Sequence, residues 1–166
     1  HQATTQGAQR VALRDVDLHK GNGTQNIVYD RPDVRFISVH GDPAVSYPYF
    51  SGAASERGAG AGEGFNLNYP LPKNTTWAHY QIALINACQQ LRDFAPEVLV
   101  ISLGVDTFKD DPISHFLLDS QDFLGMGEII ASVGVPTLFV MEGGYMVDEI
   151  GINAVNVLHG FESNSQ

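Results

Sequence analysis

Short apolar runs closed by turn residues alternate along this chain with longer segments of helical period, and few architectures tolerate that alternation. It specifies an α/β protein around a mostly parallel sheet, with helices in layers on its faces. Strands are expected at residues 11–16, 34–40, 98–103 and 137–141, and at 65–71 on a sheet edge, because Pro70 and Pro72 cannot donate to a central ladder. Residues 77–94 place Tyr80, Leu84, Ala87, Leu91 and Phe94 on one helical face, and residues 150–161 do the same with Ala154, Val157 and Leu158. A third helix is expected to start near Ser120, as its N-cap, and to stop at Gly134. Residues 46–64 are glycine-rich with aromatics at their start, the composition of a long loop forming one wall of a binding site.

With 166 residues and 43% apolar content, one domain (residues 1–166) can build a core without disulfides. The single cysteine, Cys88, points to a reducing, cytoplasmic setting. A formal charge of -10 repels phosphate backbones and suits cationic small molecules or peptides, so nucleic acid is not an expected partner; no apolar run is long enough to suggest a membrane span. Residues 3–9 read like the tail of a helix, which suggests that a piece is missing upstream.

Asp15, Asp17 and His19 alternate at the end of the first strand and so lean to one side of the chain. Asp106 follows the strand at 98–103 through Gly104, and Gly143, Gly144 and Tyr145 follow the strand at 137–141. In open α/β sheets the crevice at the carboxyl ends of the strands is where ligands bind. Two carboxylates and one imidazole, here Asp17, His19 and Asp106, suffice for a catalytic zinc with a free coordination position. Taken alone, the D-x-D-x-H run is equally compatible with a phosphatase nucleophile, a magnesium site or a structural hydrogen-bond network.

The run Asp15-Val-Asp-Leu-His19-Lys-Gly-Asn-Gly-Thr-Gln25, then Ser38-Val-His-Gly-Asp-Pro43, Ser102-Leu-Gly-Val-Asp-Thr-Phe108 with Asp111-Pro112, and Glu142-Gly-Gly-Tyr145, resembles the histone deacetylase superfamily in order and spacing. It is most similar to the bacterial acetylpolyamine amidohydrolase branch, from about Arg10 to the end. The resemblance implies an arginase/deacetylase-like fold, here a half-domain lacking the N-terminal strands. It further implies zinc on Asp17, His19 and Asp106, and Tyr145 as the catalytic hydroxyl that binds the oxyanion. Asp15 and Ser38, with backbone carbonyls of Asp17, His19 and Val39, would hold a structural potassium ion. Tyr47, Phe50, Gly143 and Gly144 would contact an acetylated small amine or peptide.

One departure outweighs these matches. The family's adjacent histidine pair, the general base and acid, precedes the Asp15 segment and is absent here: the histidines are His1, His19, His40, His79, His115 and His159. His79, His115 and His159 are expected in or near helices, and His40 is expected to be structural. Lys20 and Arg14 also replace more usual residues, a histidine and an apolar side chain. Deacetylation by this chain alone is therefore expected to be weak or absent. The alternatives are a non-catalytic metal-binding or assembly module and, ranked last, a phosphohydrolase. An exposed strand at 137–141 is expected to favour a homo-oligomer, unless a missing N-terminal half covers it.

Overall fold

The computed structural model describes residues 7–164. Of the expected helix tail, residues 3–6 lie outside the described residues, as does His1, and residues 7–9 are not helical. Among the described residues five strands form one parallel sheet: β1 (Val11–Asp15), β2 (Val34–Gly41), β3 (Asn66–Leu71), β4 (Val98–Leu103) and β5 (Thr137–Met141), in the order β3-β2-β1-β4-β5. Four helices accompany it: α1 (Asn22–Val28), α2 (Trp77–Phe94), α3 (Ser120–Ala131) and α4 (Val147–Ser163). Pro70 does lie in an edge strand, where half of the N–H donors face away from the ladder.

Right-handed crossovers explain the layers. The chain leaves β1 toward β2 through α1, then leaves β3 and β4 in the opposite direction through α2 and α3, so α1 lies on one sheet face and the longer helices on the other. The main core sits under the long helices, where Ala12, Ile37, Leu99, Ile101 and Leu103 meet Tyr80, Leu84, Leu91, Phe123, Met126 and Val157. On the second face Val28 of α1 packs on Val34, Phe36 and Leu13 as a small separate cluster.

Local differences from expectation have physical causes. Helix α1 goes unseen in the sequence because Asn22 and Gly23 are poor helix formers; burial of Gln25 and Val28 against the sheet stabilises it instead. The N-cap of α3 is Asp119 rather than Ser120, with the Asp122 carboxylate accepting the Asp119 N–H at 2.8 Å. That helix ends at Ala131, and Gly134 follows with φ 74°. In α4 the buried positions are Asn153, Val157 and Gly160, whereas Leu158 is 45% exposed.

Helices α3 and α4 touch backbone to backbone. A Cβ on Gly160 would overlap the Leu124 carbonyl oxygen, and one on Gly127 the Val157 carbonyl oxygen. In an open helix Gly→Ala would stabilise by about 1 kcal/mol. Here the overlap reverses the sign: Gly160→Ala is expected to lose about 1–3 kcal/mol in urea unfolding, and a gain would show that the helices are free to separate.

Candidate metal centre

Strands β1 and β4 are neighbours, and the chain departs from them in opposite directions. Their carboxyl ends are therefore a topological switch point, where neighbouring loops diverge and leave a crevice. The loop after β1 is a tight turn built by its own aspartates. Asp15 accepts the Asp17 N–H at 3.1 Å and the Gly21 N–H at 3.0 Å, and Asp17 accepts the His19 N–H at 2.8 Å. From the β4 side, Asp106 accepts the Leu18 N–H at 2.9 Å through Oδ1, which ties the two loops together.

One ligand atom each from Asp17, His19 and Asp106 lies within 4.8 Å of the others. Asp106 is fully buried and its Oδ2 has no hydrogen-bond partner; the nearest cationic candidate is His19 Nδ1 at 3.7 Å. Burial and the adjacent Asp106 charge push the Asp17 carboxyl up to about 7. The Asp106 carboxylate, 3.7 Å away, raises the His19 imidazole. Two carboxylates crowded around an unsatisfied buried oxygen, beside an imidazole, are a donor set that fits a divalent cation. The backbone leaves room for it: a Cβ on Gly143 would stand 2.5 Å from Asp106 Oδ2 and 2.6 Å from Asp17 Oδ2, while the Gly143 N–H donates to Asp17 Oδ2 at 2.9 Å.

Asp17, His19, Gly143, Tyr145 and Tyr47 line one cleft of about 610 Å³. Tyr47 meets the His19 ring edge-on at 6.1 Å. Partial desolvation and then the carboxylates of Asp106, Asp17 and Asp111 raise the Tyr145 phenol, so it stays a neutral donor. Phe50, by contrast, is 76% exposed on its loop and does not line the cleft, and Gly144 packs behind it against Val105 and Ile150.

Asp15 turns away from the triad. Its carboxylate, pushed up by burial, accepts the Ser38 hydroxyl at 2.9 Å; Ser38 in turn meets His40 Nδ1 at 2.8 Å, and His40 Nε2 meets the Gly52 carbonyl at 3.0 Å. Burial holds the His40 imidazole down, at about 4, in keeping with a structural role. Lys20 is buried with its ammonium 4.1 Å over the Phe36 ring, and burial lowers it to about 8. Arg14 is fully buried too, its Nη1 donating to the Ile37 carbonyl at 3.4 Å. His115 stands on the loop before α3, not in a helix, while His79 and His159 lie in helices.

Asp111 is a residue that the sequence reading left without a role. Its Oδ2 accepts the Tyr145 N–H at 2.7 Å and the Met146 N–H at 3.1 Å, anchoring the tyrosine loop from 34 residues away. Its signal was the Asp110-Asp111-Pro112 turn that follows Asp106, yet nothing in sequence links that turn to Tyr145.

Residues 1–161 match the histone deacetylase domain. The chain belongs to the histone deacetylase family. It is 64% identical over 157 residues to acetylpolyamine amidohydrolase 1 of Pseudomonas aeruginosa, covering 95% of this chain and 45% of that protein. It is 53% identical over 154 residues to the acetylpolyamine amidohydrolase of Mycoplana ramosa, with 93% and 45% covered. The crystal structure of the acetylpolyamine aminohydrolase from Burkholderia pseudomallei superposes with a TM-score of 0.95 at 40% identity, over 98% of this chain and 48% of that one. This deacetylase-family chain thus spans about half the length of the relatives it matches, and the arginase/deacetylase-like α/β fold expected from the motifs is the fold observed.

A cation held by Asp17 would compete with its proton, so metal affinity is expected to fall as pH drops below about 7, the value to which this carboxyl is raised. Asp17→Asn should weaken binding throughout and flatten the dependence. Calorimetric titration with zinc at pH 6, 7 and 8 measures both, and an affinity independent of pH would disprove the competition.

Proposed function

We propose that the chain is the C-terminal half of a zinc-dependent deacetylase that hydrolyses the amide of acetylated polyamines, and that it is impaired on its own. The observation that carries this reading is the convergence of Asp17, His19 and Asp106 in the cleft that Tyr145 also lines. Similarity to acetylpolyamine amidohydrolases over nearly the whole chain supports the substrate class. When bound, zinc supplies Lewis-acid polarisation of the acetyl carbonyl and activation of a water. The Tyr145 phenol, kept protonated, donates to the oxygen on which negative charge develops. Tyr47 offers an aromatic wall to the substrate's alkyl chain, and the charge of -10 favours its distal ammonium groups. Asp15 and Ser38 are the side chains that would hold a structural potassium ion, which would neutralise a carboxylate otherwise buried beside a hydroxyl.

Among the histidines of the described residues, only His19 lines the cleft, so this chain brings no general base of the expected kind. Such a loss removes about 10² to 10⁴ in rate. The same observation favours a second reading, a non-catalytic metal-binding module.

Metal analysis of the purified chain is expected to find one zinc per chain, lost in Asp106→Asn. The zinc-loaded chain should turn over an acetylated polyamine at least about 10²-fold below the common range of 1–10³ s⁻¹. Ordinary turnover would overturn the impairment, and absence of stoichiometric zinc would overturn the metal assignment. Any residual rate should drop a further 10² or so in Tyr145→Phe with zinc content unchanged.

A further inference from the structure

The sheet edge opposite β5 carries a second concave surface, apart from the metal cleft. Between the end of β3 and α2 lies a groove of about 510 Å³, a size that takes a small organic molecule. Its α2 wall is one helical stripe, His79, Ile82, Ala83 and Asn86, at the i, i+3, i+4, i+7 spacing that shares a face. Its floor is apolar: Tyr69 and Leu71 of β3 pack on the main core from the same side as Leu67, and Ala83 is buried. Ile82 is 56% exposed, so the floor continues into an apolar wall open to solvent.

The groove is built before anything enters it. The segment after β3, which also lines it, is held by three hydrogen bonds. The Thr75 hydroxyl donates to the Pro72 carbonyl at 2.7 Å, the Asn74 N–H to the His115 carbonyl at 2.7 Å, and the Leu117 N–H to the Thr75 carbonyl at 2.8 Å. Charge then selects the occupant. The chain has 19 acidic side chains against 9 Lys and Arg, yet no carboxylate lines this groove. Lys73 and His79 do line it, and among the described residues Lys73 pairs with no carboxylate, whereas Arg31 and Lys109 each hold an aspartate.

We propose that this groove is a second ligand site, for a small apolar molecule that carries a single carboxylate. Lys73 meets the carboxylate, and Tyr69, Leu71 and Ile82 meet the apolar body. One unpaired ammonium beside an apolar floor matches one negative charge, and a second would meet the repulsion of a chain at -10. The preference is the reverse of that in the metal cleft, which Asp17 and Glu142 line and which suits a cation, so the two sites do not compete for one compound. Nothing in this assignment depends on the metal or on the deacetylase reading.

The test titrates the purified chain with 2-naphthoate, and with 2-naphthylmethylammonium as its cationic counterpart, and reads backbone amide shifts by NMR. Naphthoate is expected to shift residues 71–75 and 79–86 saturably and to bind there at least about fivefold more tightly than the ammonium compound. Lys73→Glu should invert that order. Ile82→Glu should weaken naphthoate at least about tenfold, because it puts a carboxylate into the groove. Both positions are exposed, so the variants are expected to fold, and thermal melts check that they do. Equal binding of the two compounds at these residues, or an order unchanged in Lys73→Glu, would overturn the assignment of charge and the proposal with it. Shifts confined to other surfaces would overturn the site. An acidic peptide that shifts these residues where naphthoate does not would make the occupant a macromolecule and equally overturn it.

Discussion

Two carboxylates with like charge, Asp17 and Asp106, are forced together at the meeting of two loops, and the site's chemistry follows from that crowding. Asp106 cannot retreat, because Oδ1 is committed to the Leu18 N–H inside the fold. Asp17 cannot either, held by the N–H groups of His19 and Gly143. Among the described residues neither carboxylate has Lys or Arg as a partner, and Asp106 is buried away from water. A proton on Asp17 or a cation between the two relieves the repulsion, and an imidazole stands ready as a further ligand.

The surrounding architecture works to hold this unfavourable arrangement in place. Backbone donors, rather than charged partners, orient the aspartates, which leaves one oxygen of Asp106 without a hydrogen-bond partner. Glycine at 143 keeps a side chain out of the space between Asp17 and Asp106. Behind the loop after β1, the chain from Asp15 through Ser38 and His40 to Gly52 links it to the segment that carries Tyr47. The wall of the cleft and that loop are therefore one hydrogen-bonded unit. Asp111 plays the corresponding part for Tyr145.

The departures from the family pattern fall into two kinds. Lys20 and Arg14 are absorbed by burial, one over an aromatic ring and one against a backbone carbonyl, without displacing any member of the triad. The missing histidine pair is different, since no histidine of the described residues other than His19 reaches the cleft.

Periodicity and turn chemistry determined the five strands, the three longer helices and the edge position of β3, because alternation and proline placement act locally. The motifs likewise picked out Asp17, His19, Asp106 and Tyr145 as one group, since each follows a strand and strand ends share one side of a parallel sheet. What sequence could not decide depended on partners distant in the chain. Helix α1 exists through packing on β2 rather than propensity, Leu158 faces outward because Gly160 sets the approach of α4, and Asp15 serves the turn rather than the triad. Phe50, one loop residue among several aromatics, projects away from the cleft while Tyr47 enters it. Exposure of the strand at 137–141 was expected from the family resemblance, but that Leu138 and Val140 are the residues facing outward depended on register and handedness, since a strand's own residues do not say which of its faces is covered.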